Sequence, residues 1–261
     1  MITDAYQDTE AAYAIYLLHT ASYEFAASYC EGKQVLDLGC GSGYGAAEIA
    51  AIAAGVHAVD ISSEAIAFAC ANYPASNLEF STIIPDTALP FEDGSFDVVL
   101  SFQVIEHVND HDQYLAEAAR VLTAGGVLVL ITPDRKNRLF PGQKPWNRWH
   151  LREYSNRQLS ELTAKYFKLE SSLEMGARKD VAEFELKRYR TAKWLTLPVT
   201  LPFLPEALRQ FGLNLIQRVR PQPTNSSPNR EKTDYGYGTE VVTFSVADKN
   251  SLNLVIVARA E

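Results

Sequence analysis

Cysteines are few, cations are scarce in the first half of the chain, and no long apolar run is present; each shortage argues against a class of protein. The three cysteines, Cys30, Cys40 and Cys70, are an odd set without C-x-x-C spacing. Neither a disulfide framework nor a zinc ribbon is supported, and buried free thiols are expected. No eighteen consecutive apolar residues occur, and the opening "MITDAYQDTE" carries acids where a signal peptide carries Lys or Arg before an apolar run. A cytoplasmic location is therefore expected. Residues 1–130 hold only Lys33 and Arg120 against 18 acids, while residues 131–261 hold 22 cations against 14 acids, so the halves carry about −16 and +8. Such an asymmetry points to different electrostatic tasks for the two halves, with a solvated surface as the plain alternative. No internal repeat is found.

What is present suffices for a sizeable core: 261 residues, 47% of them apolar. Residues 9–30 carry apolar groups at helical spacing, and short apolar strands follow at 34–38, 56–60, 78–82, 96–102 and 126–132. Helices are predicted at 44–54, from Ser63 with Ser62 as cap, at 111–122, and from Ser155 to about Tyr166. Two further strands, 167–175 and 251–259, are expected to complete the sheet as a hairpin pair. Strands alternating with helices imply an α/β fold with a mostly parallel sheet and a ligand at the carboxyl ends of its strands. Residues 178–235, rich in proline, read as an insertion. Within it "PQPTNSSPNREKTD" is the most disorder-like stretch by composition.

The densest local signal is "VLDLGCGSGYG" at Val35–Gly45, four glycines in seven residues where the first strand turns into its helix. Small residues there let backbone and ligand approach closely, which implies a nucleotide-like ligand. Gly41-Ser-Gly43-Tyr-Gly45-Ala46 also satisfies the dinucleotide pattern G-x-G-x-x-A. Asp60 ends the second strand, where a carboxylate can accept hydrogen bonds from both ribose hydroxyls, so NAD and S-adenosylmethionine both remain open on these residues.

In order and spacing, "VLDLGCGSGYG", "VHAVDIS", "PDTALPFEDGSFDVVLSFQVIEHV" and "RVLTAGGVLVLITP" resemble the class I S-adenosylmethionine-dependent methyltransferases. The resemblance implies a Rossmann-like, mostly parallel seven-stranded sheet flanked by helices, with an insertion before the last strand. It also implies one domain over 1–261: a helical cover at 1–33, a cofactor-binding core at 34–132, and an acceptor-side loop, helix and strand at 133–177. An insertion or lid at 178–235 and a C-terminal strand region at 236–261 complete it. S-adenosylmethionine is the implied cofactor. Asp37 and the backbone of Gly39 and Gly41 would surround its methionine part, Asp60 would take the ribose diol and Ile61 would pack on adenine. Asp86 and the Thr87 backbone would meet the adenine amino edge, and Gln103 would line the pocket near the sulfonium.

Methyl transfer needs an acceptor held in line and a proton removed. His107, just beyond the fourth strand, is the expected general base, against the alternative of a histidine that only packs beneath the site. "QVIEHV" is similar to the "EVIEH" of small-RNA terminal 2′-O-methyltransferases and quinone-biosynthesis enzymes, where carboxylates and a histidine hold a divalent metal. Here Gln103 replaces the first acid, leaving Glu106 and His107, with His150 as a third group, so whether a metal binds stays open. The loop 135–152 carries Arg135, Lys136, Arg138, Lys144, Arg148 and Arg152 beside Trp146 and Trp149. Arg pairs with phosphate or carboxylate and Trp covers an apolar sugar face. "NRWHLREYS" resembles a stretch of methyltransferases of bacterial polysaccharide and glycolipid synthesis that reads "NPFHVREY".

The expected function is O-methylation of a saccharide or other anionic small molecule, with quinone or phenol O-methylation and a catalytically silent cofactor-binding protein as alternatives. "KRYRTAKWLTLPVTLPFLP" reads as a lid or dimer surface in preference to a membrane-resting patch. A nucleic-acid partner is not expected.

Overall fold

A computed structural model describes residues 9–219 and 234–261. The disorder-like stretch at 221–234 lies outside the described residues except for Asp234. The chain opens with α1 (Glu10–Cys30), β1 (Gln34–Leu38), α2 (Tyr44–Ala50), β2 (Gly55–Asp60), α3 (Ser63–Asn72), β3 (Leu78–Thr82) and β4 (Phe96–Phe102). It continues through α4 (His111–Val121), β5 (Leu122–Pro133), α5 (Arg135–Arg138), α6 (Asn156–Thr163) and β6 (Lys168–Ala177). The last part holds α7 (Lys179–Thr196), α8 (Glu206–Val219), β7 (Val242–Ser245) and β8 (Asn253–Arg259). Helix starts fall where small polar side chains can cap free N–H groups: Thr9 accepts from Ala12, Ser62 from Ala65 and Asp110 from Gln113. Ser155 and Gln158 close a reciprocal capping box on α6.

The eight strands form one sheet in the order β3-β2-β1-β4-β5-β8-β6-β7. The strands from β3 to β5 are parallel, and β8 runs antiparallel between β5 and β6. The sequence led to seven strands; the eighth is β7, four residues paired antiparallel with the end of β6. Its half-exposed "VTFS" is too short to show a period, as suits a sheet edge. The expected β6–β8 antiparallel neighbours are present, although α7, α8 and β7 separate them in the chain.

Period-2 alternation sends neighbouring residues of the central strands into two cores. Val35, Val98 and Val129 meet α1, α2 and α7 on one face, whereas Leu36, Val99 and Leu130 meet α4 and α6 on the other. The insertion is helical over α7 and α8, with Val181, Ala182, Tyr189 and Ala192 of α7 buried. Trp194, Leu195, Phe203, Leu208, Phe211 and Leu215 stay exposed on it. Among the described residues no helix is long and apolar enough to cross a membrane.

Candidate active site

The carboxyl ends of β1, β2 and β4 open into a cleft of about 290 Å³ lined by Gly39, Asp60, Ile61, Asp86, Thr87, Gln103 and His107, among others. These seven expected site residues are therefore brought together. Asp37 and Gly41 are not in the lining. Gly41 serves the site indirectly: its N–H donates to Asp60 Oδ2 at 2.9 Å while the Ser62 N–H donates to Oδ1 at 2.8 Å. Two of the roughly four lone-pair positions of the Asp60 carboxylate are thus used to fix it, and the rest are left for a ligand. The N–H groups of Gly39 and Cys40 go to the Val59 carbonyl, and that of Gly43 to the Cys40 carbonyl. These four N–H groups are consumed by protein acceptors. Gly39 is required sterically: at φ 96° a Cβ would lie 2.3 Å from Val104 Cγ2.

Asp37 is 1% exposed and accepts from the Tyr23 hydroxyl at 3.0 Å. Burial pushes its carboxyl up to about 7, against the opposing pull of the Tyr23 hydrogen bond. In the unfolded chain the group loses its proton near 4, so between these values the folded state binds the extra proton. Its contribution to stability is full below pH ~4 and is lost as the pH rises through ~7. Urea midpoints of wild type should therefore fall as the pH rises from ~4 to ~7, and Asp37→Asn should flatten that fall. An identical pH slope in the variant would show that Asp37 does not titrate there.

Two features of the cleft had no sequence signature. Asp86 and Gln103 are the two non-glycine residues with positive φ among the described residues, at 56° and 60°. Such conformations are costly and cluster at functional sites. Asp86 is held by Asn109 Nδ2 at 2.7 Å, and Gln103 by its N–H on the Ile131 carbonyl and its side chain on Asn253 Oδ1 at 3.2 Å. Ile84 is the second: 72% exposed beside Ile61 at 62%, it gives the cleft a second aliphatic surface suited to a flat ring.

Gln103 also lines a second, smaller cleft of about 120 Å³ between α1, the loop after β5 and α7. His107 faces the first cleft and His150 the second, with their rings edge to face at 4.8 Å. The His107 Nδ1 lies 2.9 Å from the Trp149 carbonyl and the His150 Nδ1 lies 2.8 Å from Glu153 Oε1. A carbonyl can only accept, so the His107 Nδ1 carries hydrogen and its Nε2 is the basic nitrogen. Glu106 is fully buried; Thr132 donates to its Oε2 at 2.8 Å, while Oε1 has no hydrogen-bond partner. Burial raises its carboxyl above the usual range. One ligand atom each from Glu106, His107 and His150 lies within 4.8 Å of the others.

The six cations of the loop 135–152 form no free cluster. Arg138 makes a bidentate pair with buried Glu153, both bonds 2.9 Å, and Lys136 pairs with Glu174 at 3.2 Å. Lys144 donates to the Leu204 carbonyl, Arg148 to Asn214 and Arg152 to the Asn109 carbonyl. Arg135 alone of the six has no side-chain partner among the described residues.

A parallel sheet with a glycine turn after its first strand, an acid ending the second and a cleft at their carboxyl ends defines a Rossmann-like cofactor-binding fold. Residues 36–130 match a family model described as a methyltransferase domain. Among similar proteins, a "Probable S-adenosylmethionine-dependent methyltransferase" of Mycolicibacterium smegmatis is 40% identical over 145 residues, 55% of each chain. A counterpart in Mycobacterium tuberculosis is 39% identical over 145 residues, 55% of this chain and 52% of its own. The chain thus spans about half the length of these relatives. A ubiquinone biosynthesis O-methyltransferase of Caulobacter sp. is 35% identical over 107 residues, 40% of this chain and 42% of that protein. Among solved structures, an S-adenosylmethionine-dependent methyltransferase of Mesorhizobium loti covers 93% of this chain and 99% of its own, with TM-score 0.55 and 15% identity. The [4+2]-cyclase SpnF reaches TM-score 0.55 at 18% identity, covering 91% of this chain and 79% of its own. At such identities the likeness concerns the fold alone. Both mycobacterial relatives are named for their dependence on S-adenosylmethionine.

Proposed function

We propose that the chain transfers a methyl group from S-adenosylmethionine to a hydroxyl of a small-molecule acceptor, a saccharide in the first place. The observation that carries this reading is the cleft with Asp60 and Ile61 at one end and Gln103 and His107 at the other. The cofactor would supply an activated methyl group on a sulfonium. Asp60 accepts from the ribose hydroxyls, held in place by the N–H groups of Gly41 and Ser62. Ile61, with Ile84, covers the adenine, and Asp86 and the Thr87 backbone meet its amino edge. Gly39 gives the methionine part room, while Asp37 supports the turn from beneath through Tyr23. Gln103 closes the pocket near the sulfonium, and His107 Nε2 takes the proton as the acceptor oxygen forms its new bond to carbon.

A second reading is favoured by the unpaired Glu106 Oε1. Glu106, His107 and His150 would hold a divalent cation, each donor oriented by a further group, Thr132, the Trp149 carbonyl and Glu153 respectively. Such an ion would acidify the acceptor hydroxyl. The donor set fits: one carboxylate and two imidazoles with free nitrogens, Glu106 and His150 buried and His107 exposed to the cleft.

Labelled-methyl transfer from S-adenosylmethionine to saccharides, phenols, quinols and amines, with and without EDTA, tests both readings. Transfer to a saccharide hydroxyl is expected. Preferred transfer to a phenol would favour the kind of reaction named for the Caulobacter relative, and no transfer to any acceptor would favour a silent binding protein. Under the base reading EDTA leaves turnover unchanged; loss restored by Mg²⁺ or Mn²⁺ would establish the metal.

A further inference from the structure

The geometry points to the second cleft as the acceptor site and to an uncharged, hydroxyl-bearing ring as its occupant. This rests on the methyl-transfer reading above, which it narrows. The cleft shares Gln103 with the cofactor cleft, and His150 on its wall stands edge to face with His107 across the divide. A ligand seated there is thus placed against the reacting end of the first cleft and nowhere else.

Charge decides the class of ligand. Two arginines line the second cleft, and neither is free. Arg138 is spent on Glu153, and Arg188 pairs with Glu185, itself in the lining. Burial holds the His19 imidazole down at about 4, so this lining residue is neutral at physiological pH. A phosphate or carboxylate would find each cation already neutralised and the Glu185 carboxylate close by, at the full cost of its own desolvation.

The groups left over suit hydroxyls. Gln103 Oε1, the Asn147 side-chain nitrogen and the His19 ring take no hydrogen bond among the described residues, while Ser22 donates to the Leu18 carbonyl and keeps its acceptor capacity. A hydroxyl both donates and accepts, and a mixed set of neutral partners serves several at once. Half-buried Trp146 supplies apolar surface for the C–H face of a ring, backed by Tyr189, which is 3% exposed; Arg138, 4.4 Å and 4.6 Å from their centroids, fixes their position. The cleft's volume, under half that of the cofactor cleft, limits the buried part to about one ring. A phenol would need an apolar slot, and Ile15, Leu18 and Pro133 make only part of the wall.

Saturation-transfer NMR on the full chain tests this, with methyl glucoside, methyl mannoside and methyl rhamnoside as probes beside glucose 6-phosphate and catechol, each with and without S-adenosylhomocysteine. At least one glycoside should bind, about threefold or more tighter than the phosphate ester and catechol. Trp146→Ala should weaken that glycoside about tenfold and leave S-adenosylhomocysteine within about twofold. Asn147→Ala, at the rim, should weaken it about threefold and guards against a folding defect in the first variant. Tighter binding of glucose 6-phosphate or catechol, no glycoside binding, or a glycoside signal that neither substitution alters overturns the proposal. Glycoside binding without S-adenosylhomocysteine binding would sink the methyl-transfer reading alone; the converse would sink the acceptor assignment alone.

Discussion

His107→Ala is expected to lower kcat by about 10²–10⁴ while S-adenosylhomocysteine affinity stays nearly intact. The Trp149 carbonyl fixes the tautomer of His107 by accepting from Nδ1, so Nε2 presents a lone pair at the end of the cofactor cleft where Gln103 lies. Because that hydrogen bond goes to backbone, no side-chain substitution at 149 removes it, and the ring itself must be changed. The base and metal readings part at Glu106. As a base, His107 acts without Glu106, so Glu106→Gln should cost far less than His107→Ala. As a ligand, Glu106 is indispensable, and both variants should fail alike and lose the response to Mg²⁺. A His107→Ala enzyme within about threefold of wild-type turnover would remove the residue from the chemistry under either reading.

The legible parts of the site were those written by local pattern. The glycine turn and Asp60 at the end of β2 follow from strand periods and turn residues a few positions apart, whereas Asp86 after β3 came from the family resemblance alone; their convergence follows from the parallel topology. Asp37 lies on β1, as read from the sequence, and outside the residues that line the cleft. Burial, set by Tyr23 from a helix packed over the strand, was not readable from its own neighbours. The partners of the loop cations were hidden in a similar way: Glu174, which pairs with Lys136, lies 38 residues on, and Asn214, whose neutral amide holds Arg148 without cancelling its charge, 66 residues on. Two pairings were within reach: Glu153 stands three residues after His150, and Arg188 one helical turn after Glu185. The second cleft was invisible because α1, the loop after β5 and α7 each give it a few residues, more than a hundred positions apart at the extremes.

Asp60→Ala should weaken S-adenosylmethionine and S-adenosylhomocysteine by about 1.5–3 kcal/mol, roughly a 10- to 150-fold rise in Kd. Two losses combine. The ribose hydroxyls lose a charged acceptor, and the N–H groups of Gly41 and Ser62 lose the carboxylate that ties the glycine turn to the end of β2. Asp60→Asn separates them, since an amide offers one acceptor oxygen where the carboxylate offers two. If the direct contact dominates, Asn should recover little of the affinity. If holding the turn dominates, Asn should recover much of it, because its one oxygen can still take the Gly41 or the Ser62 N–H. At a dinucleotide site the pyrophosphate contacts N–H groups of the turn and of the helix that follows it; here those of Gly39, Cys40, Gly41 and Gly43 are already engaged. NAD should accordingly show no measurable binding by calorimetry. Unchanged S-adenosylhomocysteine affinity in Asp60→Ala, or tighter binding of NAD than of S-adenosylhomocysteine by wild type, would remove the carboxylate from the role that the end of β2 assigns it.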